Sequence, residues 1–164
     1  MSVDMFLKLD GIDGESIKTG FEKWIEISSF SNGVSNHSLV SHGTGSGAGK
    51  ADVSSIQMQK MLDSASPFLF IKCATGKHIA TGNMVCREST GDSTTQVYYQ
   101  YDMTEVFIDS VSWGGGAGAG KPSESLSVSA KKLVISYWPQ NADGTLGSKI
   151  VKGYDQGLGA EADS

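Results

Sequence analysis

The chain has little proline, little cysteine and no excess of positive charge. It holds 3 Pro and 2 Cys in 164 residues, and 13 Lys and Arg stand against 18 Asp and Glu, a formal net charge of -5. Two cysteines, Cys73 and Cys86, are too few for a disulfide framework and read as reduced core residues. A net negative balance gives a polyanion nothing to bind, which argues against nucleic acid as a partner. Asp155, Glu161 and Asp163 supply three of those negative charges from the last ten residues, so the acidity is partly that of a tail. The longest apolar run in the middle, Phe68 to Ile71, stops at Lys72, far short of the roughly 20 residues of a membrane helix, and membrane insertion is not expected. The opening MSVDMFLKLDGIDGES places Asp4, Lys8 and Asp10 where a cleavable export signal would need a basic start and an unbroken apolar core. A length near one ordinary domain buries about 69% of the unfolded surface without disulfides or metals.

Alternation with period two is the commonest pattern. Val3, Met5, Leu7 and Leu9 share one face opposite Asp4 and Lys8, which predicts a half-buried first strand. The same reasoning predicts strands over 24–31, 53–61, 78–87, 96–103, 105–113, 125–138 and 149–154, rich in β-branched and aromatic residues. Within 125–138 the apolar parity switches from Leu126, Val128 and Ala130 to Leu133, Ile135 and Tyr137 across Lys131 and Lys132, which places a bulge or a change of sheet there. One segment breaks the rule. Ser64 or Ser66 can cap, Pro67 suits a first helical turn, and Phe68 to Thr75 lacks alternation before Gly76, so a helix of two to three turns is predicted. Phe68, Leu69, Phe70, Ile71 and Cys73 cover too much of its circumference for a solvated helix, and it is expected to pack on more than one side. The expected fold is mainly β: an antiparallel β-barrel of two packed sheets with one short flanking α-helix.

Glycine is abundant, 21 residues, and nine of them fall in HGTGSGAGK (42–50) and WGGGAGAGK (113–121). Both end in Gly-Lys, but neither is a phosphate loop. The first lacks the leading glycine and the hydroxyl after Lys50; in the second Pro122 replaces that hydroxyl and a strand follows. They read as long, flexible loops, which in a compact domain are either disordered or in contact with something. His37, His42 and His78 have no paired metal-ligand spacing, Asp10, Asp13 and Glu15 lack the later carboxylate of a calcium loop, and Gly45-Ser46-Gly47 is linker rather than nucleophile elbow. Tyr98, Tyr99 and Tyr101 lack the basic groove of a base-stacking platform. No catalytic set, metal site or cofactor site is expected.

The segments VDMFLKLDGIDGES (3–16), KWIEISSFSNGVS (23–35), GAGKADV (47–53), DSASPFLFIKCATGKH (63–78), TEVFIDSVSWGGG (104–116) and VISYWPQNADGTLG (134–147) together resemble the hemolysin-coregulated protein (Hcp) family, in order from residue 3 to about 154. The resemblance implies a tail-tube-like domain over 1–154, followed by a flexible acidic tail over 155–164. It implies a structural subunit of the type VI secretion system: homo-hexameric rings stacked into a hollow tube, with a spike of the valine-glycine repeat family, a contractile sheath and secreted effectors as partners. Such a protein starts in the bacterial cytoplasm and leaves the cell through the machine without a signal peptide. The loop from about Asn36 to Lys50 is then the stacking or inter-subunit arm, its core being His42, Gly43, Thr44, Gly45, Ser46, Gly47, Ala48, Gly49 and Lys50, and Ser31 is a candidate lumen contact for cargo. The rivals from other classes are a monomeric ligand-binding β-barrel module with flexible loops, and a small hydrolase using Ser or His from those loops.

Overall fold

The computed structural model describes residues 2–37, 49–89 and 95–164. Its elements, in chain order, are β1 (Ser2–Leu9), β2 (Ile25–Ile27), β3 (Ser29–Ser31), β4 (Val34–Asn36), β5 (Ala51–Val53), β6 (Ile56–Met61), α1 (Ser66–Thr75), β7 (Ile79–Ser89), β8 (Thr95–Gly114), β9 (Ser123–Tyr137), β10 (Ile150–Asp155) and β11 (Ala160–Glu161). The main sheet runs β11-β10-β9-β8-β7-β1-β2, with β6 also paired to β9 and β3 to β6; β4 and β5 form a separate two-stranded ribbon. All pairings are antiparallel. The mainly β class with one short helix is as expected.

The sheet does not close into a barrel. The segment read as one strand over 24–31 is divided at Ser28: β2 pairs with β1 through Met5 opposite Ile27, while β3 pairs with β6 through Phe30 opposite Met58. The Ser28 N–H and hydroxyl both donate to Gln59 O, at 2.8 and 2.9 Å. One stretch of chain thus serves two sheet edges, and the hydrogen-bonded path stays open between them. The same division of labour explains the parity switch in β9. Its first half, Ser123–Met61 to Val128–Ile56, pairs with β6, and its second half, from Lys132 to Tyr137, pairs with β10. Opposite the switch, Glu105 adopts φ 50 and joins the two strands expected at 96–103 and 105–113 into one long β8.

Inward residues of the strands build one core, with Leu7, Ile25, Met58, Met84, Val106 and Val128 all completely buried. At about 25 cal/mol per Å² of apolar surface removed from water, this burial is the main stabilising contribution. Phe6, on the opposite face of β1 from Leu7, is buried as well, stacked on Phe21 at 4.8 Å. The Arg87 guanidinium lies 5.0 Å from the Phe6 ring and 5.1 Å from Phe21, and pairs with Asp4 at 3.2 Å. This second cluster pins the 10–24 connection to the sheet.

The helix begins at Ser66, with Pro67 in its first turn. Neither serine caps it in the expected manner; instead the Asp63 carboxylate accepts from Ala65 N–H at 3.0 Å and Ser66 Oγ accepts from Asp63 N–H at 3.1 Å. Gly76 ends it in the left-handed conformation, its N–H bonded to Cys73 O. Only Ser66 and Leu69 of its residues are buried; Phe68, Phe70 and Ile71 remain 54, 51 and 48% exposed. Within one copy the helix packs on one side, not on several. The last ten residues turn back, with β11 set against Tyr154 and Asp155 of β10. Glu161 and Asp163 accept from Lys152 Nζ at 2.9 and 3.4 Å. A Cβ at Gly153 would overlap Ala162 O and Val134, so glycine is what lets the returning chain lie this close.

Candidate functional site

Val34 lies opposite Val53, Ser35 opposite Asp52 and Asn36 opposite Ala51, so β4 and β5 form a two-stranded ribbon on either side of residues 37–50 in the sequence. The Asn36 side-chain amide donates to Gly49 O at 2.9 Å, and Ser54 Oγ bridges Gly33 by accepting from its N–H at 2.9 Å and donating to its carbonyl at 3.0 Å. A side chain at residue 49 would collide with the His37 carbonyl. Of the loop residues named above, Gly49 and Lys50 adjoin this ribbon; His42, Gly43, Thr44, Gly45, Ser46, Gly47 and Ala48 lie outside the described residues. The ribbon has no buried residue and Val34 is 70% exposed, so it is held by backbone pairing and these polar bonds.

Beneath the ribbon opens an apolar groove of about 460 Å³, walled by Val34, Ala51 and Val53 on one side and by Tyr99, Tyr101, Leu133, Ile135 and Tyr154 on the other, with Asn32 and Lys152 also lining it. Tyr99 and Tyr101 donate and accept one hydroxyl bond at 3.1 Å. Burial and that bond push the Tyr101 phenol above its ordinary range. Ser31, at the end of β3 opposite Gln57, is exposed beside a shallow polar depression shared with Asn32, Ser54 and Ser55.

A second polar cluster, not anticipated from the sequence, joins three elements. Lys60 Nζ, wholly buried, donates to Glu124 Oε2 at 2.5 Å, Asp63 Oδ1 at 2.9 Å, Met61 O at 3.0 Å and Ser66 Oγ at 3.2 Å; Ser66 Oγ donates in turn to Glu124 Oε2 at 2.7 Å. The cluster ties the start of α1 to β6 and β9. Its signal was in the pattern: Lys60 sits on the inward parity of β6 with Ile56 and Met58, and Glu124 on that of β9 with Leu126 and Val128. A charge on each core face, where neither strand tolerates one alone, marks a buried pair.

His37 stands beside Gly49 at the ribbon's end, and His78 follows α1 with its ring 5.9 Å from that of Phe107. Among the described residues no three His, Cys, Asp or Glu side chains gather as a metal site, and no helix is long and apolar enough to cross a membrane. Cys86 is buried and its thiol is pushed from about 9 to about 11 by that burial, which makes it unreactive. The main path of the sheet ends in two very short strands, β2 and β11, and β11 covers only Tyr154 and Asp155 of β10, leaving Ile150 57% exposed at the sheet border. Strand borders and a groove are means of contact with another chain.

Over residues 6–137 the sequence matches the family described as type VI secretion system effector, Hcp. It is 32% identical over 152 residues to protein hcp1 of Pseudomonas aeruginosa, covering 93% of each chain. The fold is similar to that of a solved type six secretion system protein, with TM-score 0.89 and 29% identity over 98% of this chain and 100% of the other. It is similar as well to Hcp1 from Salmonella typhimurium, with TM-score 0.80 and 30% identity over 99% and 100% of the two chains.

Proposed function

The chain belongs to the Hcp family of type VI secretion proteins, and from that premise we propose that it is the structural subunit of the secretion tube. Six copies close into a ring, rings stack into a hollow tube, and the tube leaves the cytoplasm with a spike of the valine-glycine repeat family, driven by a contractile sheath and carrying effectors in its lumen. The role is geometric rather than catalytic. The observation that carries this reading is similarity along the whole chain: the described domain aligns end to end with a solved type VI secretion protein.

The physical features support it. A closed ring needs a heterologous interface, two different patches that fit each other, and this subunit offers open sheet borders, an apolar groove and an exposed apolar helix face. Stacking needs an arm, and the 42–50 loop on its ribbon is that arm in our reading, with Gly49 allowing close backbone approach at its root. Ser31, exposed among polar neighbours, is the proposed cargo contact. The test is native mass spectrometry over a concentration series, since assembly follows mass action. A species of six times the 17.3 kDa subunit mass is expected; a monomer throughout that binds a small molecule in the 460 Å³ groove would replace this account with that of a ligand-binding module.

A further inference from the structure

We propose that the exposed face of α1 in one copy seats in the groove between the β4–β5 ribbon and the main sheet of the next copy, forming the head-to-tail contact of the ring. The inference rests on the ring proposed above and names the surfaces that close it.

The helix is apolar nearly all round, from Pro67 through Ala74 with Lys72 as the one charge. A helix of that composition is normally enclosed, yet one copy buries only Ser66 and Leu69 of it. Phe68, Phe70 and Ile71 stay about half exposed, and Phe70 is continued across to Trp113, 48% exposed, at a ring separation of 5.9 Å. A contiguous, aromatic-rich apolar ridge of this kind marks a protein contact. It is rigidly mounted, because the buried Lys60–Glu124–Ser66 cluster fixes the helix start and Leu69 its middle.

The groove is its counterpart in shape and charge. It is concave, and its walls include Val34, Val53, Tyr99, Leu133, Ile135 and Tyr154. The helix segment 66–77 carries two charges, Lys72 and Lys77, both positive. At the groove's edge Lys152 is outnumbered by the carboxylates of Glu161 and Asp163 that bind it and by Asp155 beside Tyr154. A basic-flanked ridge thus meets an acidic-flanked groove, a complementarity that sets orientation and favours encounter. The two surfaces lie towards opposite ends of β8, the ridge at Trp113 and the groove at Tyr99 and Tyr101. Each copy therefore offers its ridge to one neighbour and its groove to another, the condition for a heterologous contact that closes on itself.

The experiment places p-benzoylphenylalanine at Phe70 in the full chain, irradiates at a concentration where native mass spectrometry has shown the sixfold species, and maps intermolecular adducts by peptide mass. Adducts at residues 34, 53, 99, 135 or 154 of the neighbouring copy are expected. Adducts confined to other surfaces, with the sixfold mass intact, overturn this contact and leave the ring standing; a chain that never exceeds the monomer mass overturns both. A second arm needs no core change: the Lys72→Glu/Lys77→Glu variant keeps the fold by circular dichroism and shifts the midpoint of ring dissociation at least tenfold to higher concentration at low salt, and this shift shrinks at high salt. An unchanged midpoint counts against the contact.

Discussion

Replacing Lys60 by Met isolates the buried charge cluster that holds the helix. The Lys60 and Glu124 side chains are 0% exposed, and the three N–H groups of the ammonium face four acceptors within hydrogen-bond distance, Glu124, Asp63, Met61 O and Ser66. In Lys60→Met the Glu124 carboxylate keeps the Ser66 hydroxyl at 2.7 Å, while its other oxygen has no partner among the described side chains. Breaking a buried pair by removing one partner costs about 3–5 kcal/mol. For a chain of this size each kcal/mol moves Tm by about 2–4 °C, so the melt falls by roughly 6–20 °C. The double variant Lys60→Met/Glu124→Met removes both charges and leaves only Asp63, which already reaches solvent; replacing both members of such a pair by apolar residues is often close to neutral. Urea melts at fixed protein concentration, with all four members of the double-mutant cycle, measure the coupling. Single variants that lose less than about 1 kcal/mol, or a double variant that loses the sum of the singles, would refute the reasoning.

Deleting residues 43–49 is expected to abolish tube stacking, seen as long particles by microscopy, while the melt of the subunit changes little; a melt that collapses with the deletion would make the loop part of the fold instead. Gly49→Val places a side chain against the His37 carbonyl and should weaken stacking in the same assay without lowering the sixfold mass. Arg87 is 5% exposed against the stacked rings of Phe6 and Phe21, so Arg87→Ala should cost about 2–4 kcal/mol through lost packing and an unpaired Asp4, read by urea melts against Arg87→Lys. Because burial raises the Cys86 thiol from about 9 to about 11, the unfolded chain loses this proton first. That contribution to stability is complete below pH 9 and is lost as pH rises from 9 to 11; Cys86→Ala should flatten that segment of the pH profile. In the native protein, iodoacetamide at pH 8 should label Cys73, which is partly exposed, and spare Cys86.

The parts of the fold that were legible in the sequence are those whose burial follows the strand period. Tyr101 and Met103 are buried on one face of β8 while Asp102 between them is not, and the core-facing parity of β9 moves from Leu126, Val128 and Ala130 to Leu133 across Lys131 and Lys132, so the pattern announces a strand and a change of pairing partner. Ser28 gave no such warning: the pattern continues through it, and the division into β2 and β3 comes from the two separate edges that the segment must serve. The ribbon β4–β5 and the short β11 were silent because none of their residues is buried, so periodicity had nothing to record. The composition of the helix marks it as too apolar for solvent and predicts packing on more than one side, but the chain itself covers only one, burying Ser66 and Leu69. The buried Lys60–Glu124 pair was visible only as a charge on an inward position in each of two distant strands, which neither strand explains without the other. The 42–50 segment is marked by composition alone, and of it the structure describes only Gly49 and Lys50, next to β5 of the ribbon.

The most direct test of the central claim, that this subunit acts by closing into a ring, is electron microscopy of a concentrated preparation of the full chain. Annular particles with six-fold symmetry and an open centre, some of them stacked, are the predicted result. Single globular particles without a central hole, at every concentration up to the solubility limit, would contradict it.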